Sequence, residues 1–225
     1  MKNTFHLFRI SFLLLLLVFS CSQKESEEKT TAASGTEVQE KSERKTILFF
    51  GNSLTAGYGL EDYEAFPALI QQKLDSLDLA YQVINGGLSG ETTASGLSRL
   101  DWFLEEKPEI FILELGGNDG LRGISLDETE KNLRGIINAV EEKYPETKVL
   151  LAGMQIPPNM GQAYTDEFRE MYAEIAEDED VALIPFLLEG VAGDPEYNLP
   201  DGIHPTAEGH QIVAETVWQY LEPLL

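Results

Sequence analysis

Five short runs dominated by Ile, Leu, Val and Phe punctuate the chain, at residues 46–51, 81–85, 109–115, 148–153 and 181–185. Their apolar positions are continuous rather than alternating, which is the pattern of strands covered on both faces. Between and after them, apolar residues return every three or four positions, and this spacing predicts helices over 65–77, 93–104, 126–144, 165–177 and 205–221. The third helix opens on a capping-box pattern, Ser125 with Glu128, and stops at Tyr144-Pro145. In the last, Pro205 falls at a first-turn position, where a missing N–H is tolerated. Five strand-then-helix units imply an α/β protein: a five-stranded parallel sheet between two helical layers, a three-layer α/β/α sandwich of flavodoxin-like type.

The ends of this pattern differ from its middle. Residues 1–20 carry Lys2 and Arg9 ahead of an apolar run from Ile10 to Phe19, too short to span a bilayer comfortably, and read as a secretory signal. The run closes on Val18-Phe19-Ser20-Cys21, which resembles a bacterial lipobox with Phe19 in place of the usual small residue, so Cys21 is the expected lipidation site. Residues 21–44 are Ser, Thr, Glu, Gln and Lys with little to bury, and are expected to form a disordered tether. The folded domain is therefore expected over 45–225, in a protein lipid-anchored to a bacterial cell envelope. Length and charge narrow the rest. At 225 residues there is room for one catalytic domain. A formal net charge of −23 argues against binding nucleic acid, which needs clustered Lys and Arg. With Cys21 the only cysteine, an intramolecular disulfide, a Cys-rich zinc site and a deeper Cys nucleophile are excluded.

In a parallel sheet of this type the working site lies beyond the carboxyl ends of the strands. Four unusual segments fall there. Gly51-Asn52-Ser53-Leu54 follows the first run, the segment from Gly86 to Glu91 the second, and Gly116-Gly117-Asn118-Asp119 the third; Asp201-Gly202-Ile203-His204-Pro205 comes after a longer loop beyond the fifth. Outside the leader there are two histidines, His204 and His210. His204 has Asp201 three residues before it, so a tight turn through Gly202 could let the carboxylate orient one ring nitrogen and leave the other to accept a serine proton. His210 lies on the apolar stripe of the last predicted helix with Val213 and Val217 and reads as a packing residue. Ser53 alone would read as a turn or cap serine and gains meaning only with a base such as His204. Backbone N–H groups of Ser53 and Gly90, with the side-chain amide of Asn118, could supply the donors that an acyl-transfer oxyanion needs.

Jointly, Ser53, Gly90, Asn118 and His204, with Asp201 to Pro205 as a final block, resemble the SGNH (GDSL-like) hydrolase family over nearly the whole domain, closest to its arylesterase and multifunctional thioesterase/lysophospholipase branch. The long segment from Glu114 to Gly123 is its most distinctive match, whereas Asn52 departs from the family's usual Asp. The resemblance implies a serine esterase that acts on short-to-medium acyl or aryl esters, thioesters or lysophospholipids through an acyl-enzyme on Ser53. Its acyl groove is expected between the loops after the third and fourth strands, with Leu121, Ile156, Pro157 and Tyr164 as substrate contacts. Two other readings use the same residues: a carbohydrate O-acetyl esterase, and a surface-anchored binding module that has lost catalysis. A binding module would have no need of all five site residues. No G-x-S-x-G elbow, phosphate loop or H-E-x-x-H motif occurs, and neither cofactor nor metal is inferred.

Overall fold

The computed structural model describes residues 44–157 and 161–225. The expected leader, Cys21 and all of the tether except Arg44 lie outside the described residues, as do Pro158 and Met160 of the predicted groove loop. Five strands, β1 (Lys45–Gly51), β2 (Tyr81–Gly87), β3 (Ile110–Glu114), β4 (Lys148–Ala152) and β5 (Ala182–Ile184), form one sheet in the order β2-β1-β3-β4-β5. Every neighbouring pair is parallel. This is the flavodoxin-like order, with its switch point at β1, where the chain steps outward to β2 and then back across to β3. Ile47 to Phe50 and Ile110 to Leu113 are almost wholly inaccessible, as continuous apolar runs in central strands require. Burying each such side chain contributes about 1.5–3 kcal/mol.

Among the described residues seven α-helices connect and cover the strands: α1 (Ser53–Ala56), α2 (Phe66–Ser76), α3 (Thr93–Phe103), α4 (Gly117–Arg122), α5 (Leu126–Lys143), α6 (Gln162–Asp178) and α7 (Ala207–Leu221). Contacts of α2 with α7 and of α3 with α5 make the two outer layers. The short helices α1 and α4 were not expected; each is a single turn or little more, too brief to show periodicity, and each begins at a candidate site residue or beside one. Other corrections concern helix starts. Ser125 caps α5 by accepting from the N–H of Glu128 at 3.4 Å, but the reciprocal Glu128 bond of a full capping box is not formed. A full box occurs instead at α3, between Thr92 and Ser95. Pro205 does not enter α7: it bridges to Asn198, and Thr206 is the cap, accepting from Gly209 N–H.

Candidate active site

The nucleophile turn follows directly from the end of β1. Gly51 is required there, because a Cβ would meet Thr55 Oγ1 at 2.1 Å and Glu114 Oε2 at 2.6 Å. Asn52 then caps α1, its Oδ1 accepting from Leu54 N–H at 2.9 Å, which leaves Ser53 at the first helical position with its N–H among those that a helix start cannot satisfy internally. The turn is held from below by Glu114, level with Gly51 on the adjacent strand. One buried carboxylate accepts from Asn52 Nδ2 (2.6 Å) and N–H (3.1 Å) and from Thr55 Oγ1 (2.8 Å) and N–H (3.3 Å). Burial pushes the Glu114 carboxyl up to about 7, although all four bonds pull it down. An Asp at position 52 would set two carboxyl groups against each other here; the amide of Asn52 donates instead.

The last site segment is a closed loop. Leu199 N–H bonds His204 O and Thr206 N–H bonds Tyr197 O, with Gly202 in the left-handed region at φ 70°. Asp201 Oδ1 accepts from the N–H groups of Ile203 (2.9 Å) and His204 (3.0 Å), and its Oδ2 lies 2.7 Å from His204 Nδ1. The backbone bond from His204, then the imidazole contact, then the Ile203 bond hold the Asp201 carboxyl down at about 2. An ionised Asp201 can only accept, so Nδ1 carries the proton and Nε2 offers its lone pair. That Nε2 lies 2.9 Å from Ser53 Oγ. The exposed ring of Tyr58 covers the imidazole, with centroids 4.4 Å apart.

The remaining candidates come from the loops after β2 and β3. Asn118, on α4, donates from Nδ2 to Glu91 O at 2.9 Å; its second amide hydrogen has no partner among the described residues, and the residue lines a cavity beside Ser53. Gly90 is exposed in a left-handed turn (φ 80°), with its carbonyl bound by Arg122 at 2.9 Å. It is not among the residues lining that cavity. The cavity has a volume of about 520 Å³, and Ser53 and His204 share its wall with Leu121, Ile156, Pro157, Met154, Phe186 and Leu188.

Three of the four expected substrate contacts are therefore at the cavity. Tyr164 is not: α6 begins at Gln162, and the helix turns the Tyr164 hydroxyl onto Ile124 O (2.8 Å) and its ring onto Phe168. Met154, Phe186 and Leu188 were missed, although the strand-end rule that singled out the other loops also marks the residues just after β4 and β5. His210 is fully buried away from the site, its Nδ1 accepting from Phe66 N–H at 3.1 Å and its ring stacked on Phe66. Among the described residues no cluster of His, Cys, Asp and Glu is suited to a metal ion.

Residues 49–212 match the GDSL-like lipase/acylhydrolase family. The chain belongs to that family. It is 42% identical to the esterase TesA of Pseudomonas aeruginosa over 80% of its own length and 90% of the relative's. It is 38% identical to the thioesterase 1/protease 1/lysophospholipase L1 of Escherichia coli K12, over 80% of its own length and 85% of the relative's. A crystal structure of TesA superposes with a TM-score of 0.77 at 41% identity, covering 80% of this chain and all of that one. This GDSL-like chain is thus a serine ester hydrolase of the SGNH type, and its parallel sheet is the fold of its solved relatives.

Proposed function

We propose that the enzyme hydrolyses acyl esters and thioesters through an acyl-enzyme on Ser53, with His204 as base and Asp201 orienting it. The observation that carries this reading is the unbroken chain of short contacts from Asp201 Oδ2 through both imidazole nitrogens to Ser53 Oγ. His204 Nε2 takes the Ser53 proton as Oγ attacks the carbonyl carbon; the resulting imidazolium is stabilised by Asp201 and returns the proton to the leaving alkoxide or thiolate. Water, deprotonated by the same nitrogen, then releases the acid. Charge on the tetrahedral oxygen is met by Ser53 N–H, Gly90 N–H and the second hydrogen of Asn118 Nδ2. The largely apolar wall of the cavity suits short-to-medium acyl or aryl groups, lysophospholipids included, and the names of the two relatives speak of esterase, thioesterase and lysophospholipase. Lipidation at Cys21 and a place in a bacterial envelope belong to the same proposal, supported by the leader pattern and by the bacterial source of both relatives.

A series of nitrophenyl esters of rising acyl length, run on wild type and on Ser53→Ala, tests the scheme. The substitution is expected to lower kcat by roughly a thousandfold or more, and wild type is expected to prefer one range of chain length. Near-wild-type turnover by Ser53→Ala would remove the serine from the mechanism; a flat length profile would remove the acyl groove.

A further inference from the structure

Behind the hydrolytic residues lies an ion pair, its carboxylate fully buried and its guanidinium largely so, to which the scheme above gives no part. Glu91 is 2% exposed, and Arg99 reaches it from α3, with its guanidinium 4.2 Å from the ring centre of Phe50 and 4.8 Å from that of Phe103. Arg99 Nε donates to Glu91 Oε1 at 2.5 Å, and Nη2 donates to Glu91 Oε2, to Gly86 O at 2.7 Å and to Gly51 O at 3.3 Å. Gly51 and Gly86 stand at the carboxyl ends of β1 and β2, so one planar cation ties together the strand ends from which the nucleophile turn and the Gly90 loop emerge. Glu91 continues the chain of contacts: its carbonyl oxygen accepts from Asn118 Nδ2.

Each of the three oxyanion donors is therefore referenced to this pair: Ser53 sits two residues past Gly51, Gly90 sits one residue before Glu91, and Asn118 is hydrogen-bonded to Glu91 itself. Burying two charges is a poor way to gain stability, since well-packed apolar residues of the same volume usually serve as well or better. What a guanidinium supplies and an apolar side chain cannot is several fixed donor directions in one plane. We propose that Glu91 and Arg99 are positioning residues that set the spacing of the oxyanion donors. Donors of this kind act within a narrow window of about 2.7–3.1 Å from the developing oxyanion. A loosened frame thus weakens the transition state while leaving ester binding in the apolar cavity unchanged.

The inference rests on the proposed acyl-enzyme, and the experiment separates the two. The neutral pair Glu91→Gln/Arg99→Met is compared with wild type for kcat and KM, on active sites counted by fluorophosphonate titration. The expected result is a kcat lower by roughly tenfold to a hundredfold with KM changed less than about threefold. In an Asn118→Ala background the same double change is expected to lower kcat by clearly less than it does in wild type, because one of the three donors it positions is gone. Arg99→Lys, which keeps the charge but not the fork, provides the same comparison if the neutral pair does not fold, with an expected kcat loss of several fold. An unchanged kcat, a loss confined to KM, or a full-sized further loss on top of Asn118→Ala overturns the positioning role. Failure of the acyl-enzyme reading shows instead as fluorophosphonate labelling or turnover that survives Ser53→Ala.

Discussion

His204 and His210 show how far surroundings decide the use of one residue type. His204 stands at the cavity with Asp201 and Ser53 on its two nitrogens. His210 is enclosed, and desolvation, with a smaller contribution from the His204 charge, brings its pKa down to about 4. Glu114 moves the opposite way, up to about 7, and the two have opposed consequences for stability. Between about pH 4 and 6.5 the unfolded chain holds a proton on His210 that the folded one does not, so this residue makes stability rise with pH, by about 3 kcal/mol across the window. Between about pH 4.5 and 7 the folded chain holds a proton on Glu114 that the unfolded one lacks, so stability falls as pH rises. Relative to wild type, His210→Gln is expected to give a Tm that declines from pH 4.5 to 6.5, and Glu114→Gln one that climbs; a calorimetric series checks both slopes, and parallel curves would contradict the assignment. The sequence disclosed His204, Ser53 and Asn118 only jointly, as chemically complementary residues that fall after strands together with Asp201. Glu91, Arg99 and Glu114 stayed hidden, because a charged residue in an unfolded string looks solvated until the fold closes over it.

At the scale of elements, α4 is hardly legible as a helix in the sequence, and its packing is exacting. The pair Gly116-Gly117 reads simply as a turn, yet its two members do different things. Gly116 caps α4 at φ 105°, and a Cβ there would meet the hydroxyl of buried Tyr172 at 2.2 Å, itself bonded to Leu115 O. Gly117 would meet nothing closer than Met154 Cε at 3.5 Å. Gly116→Ala is expected to lower unfolding stability by about 2–4 kcal/mol, and Gly117→Ala by no more than about 1 kcal/mol; urea midpoints compared side by side check this, and equal losses would refute the distinction. The strands were legible as continuous apolar runs, and the long helices because their periodicity runs for many residues. Single-turn helices and the exact start of α6 were not, since three or four residues carry no period. That shift in the start of α6 is what moved Tyr164 from the groove to Ile124.

For the molecule as a whole, the parallel sheet gathers the site loops beyond one set of strand ends, as the order β2-β1-β3-β4-β5 demands. The proposed attachment through Cys21 adds a prediction at this scale: Cys21→Ser is expected to shift the protein from the membrane to the soluble fraction with kcat unchanged, because every proposed site residue lies between Ser53 and His204. Retention in the membrane fraction would argue against the anchor. The opposite rim of the sheet receives both ends of the described domain. Lys45 opens β1, and the last residues return to the same rim, where Tyr81 Oη donates to Leu225 O at 2.9 Å and Lys148 bonds Leu224 O. A linker joined to the described domain at Lys45 or at Leu225 would thus depart from the rim opposite the catalytic loops.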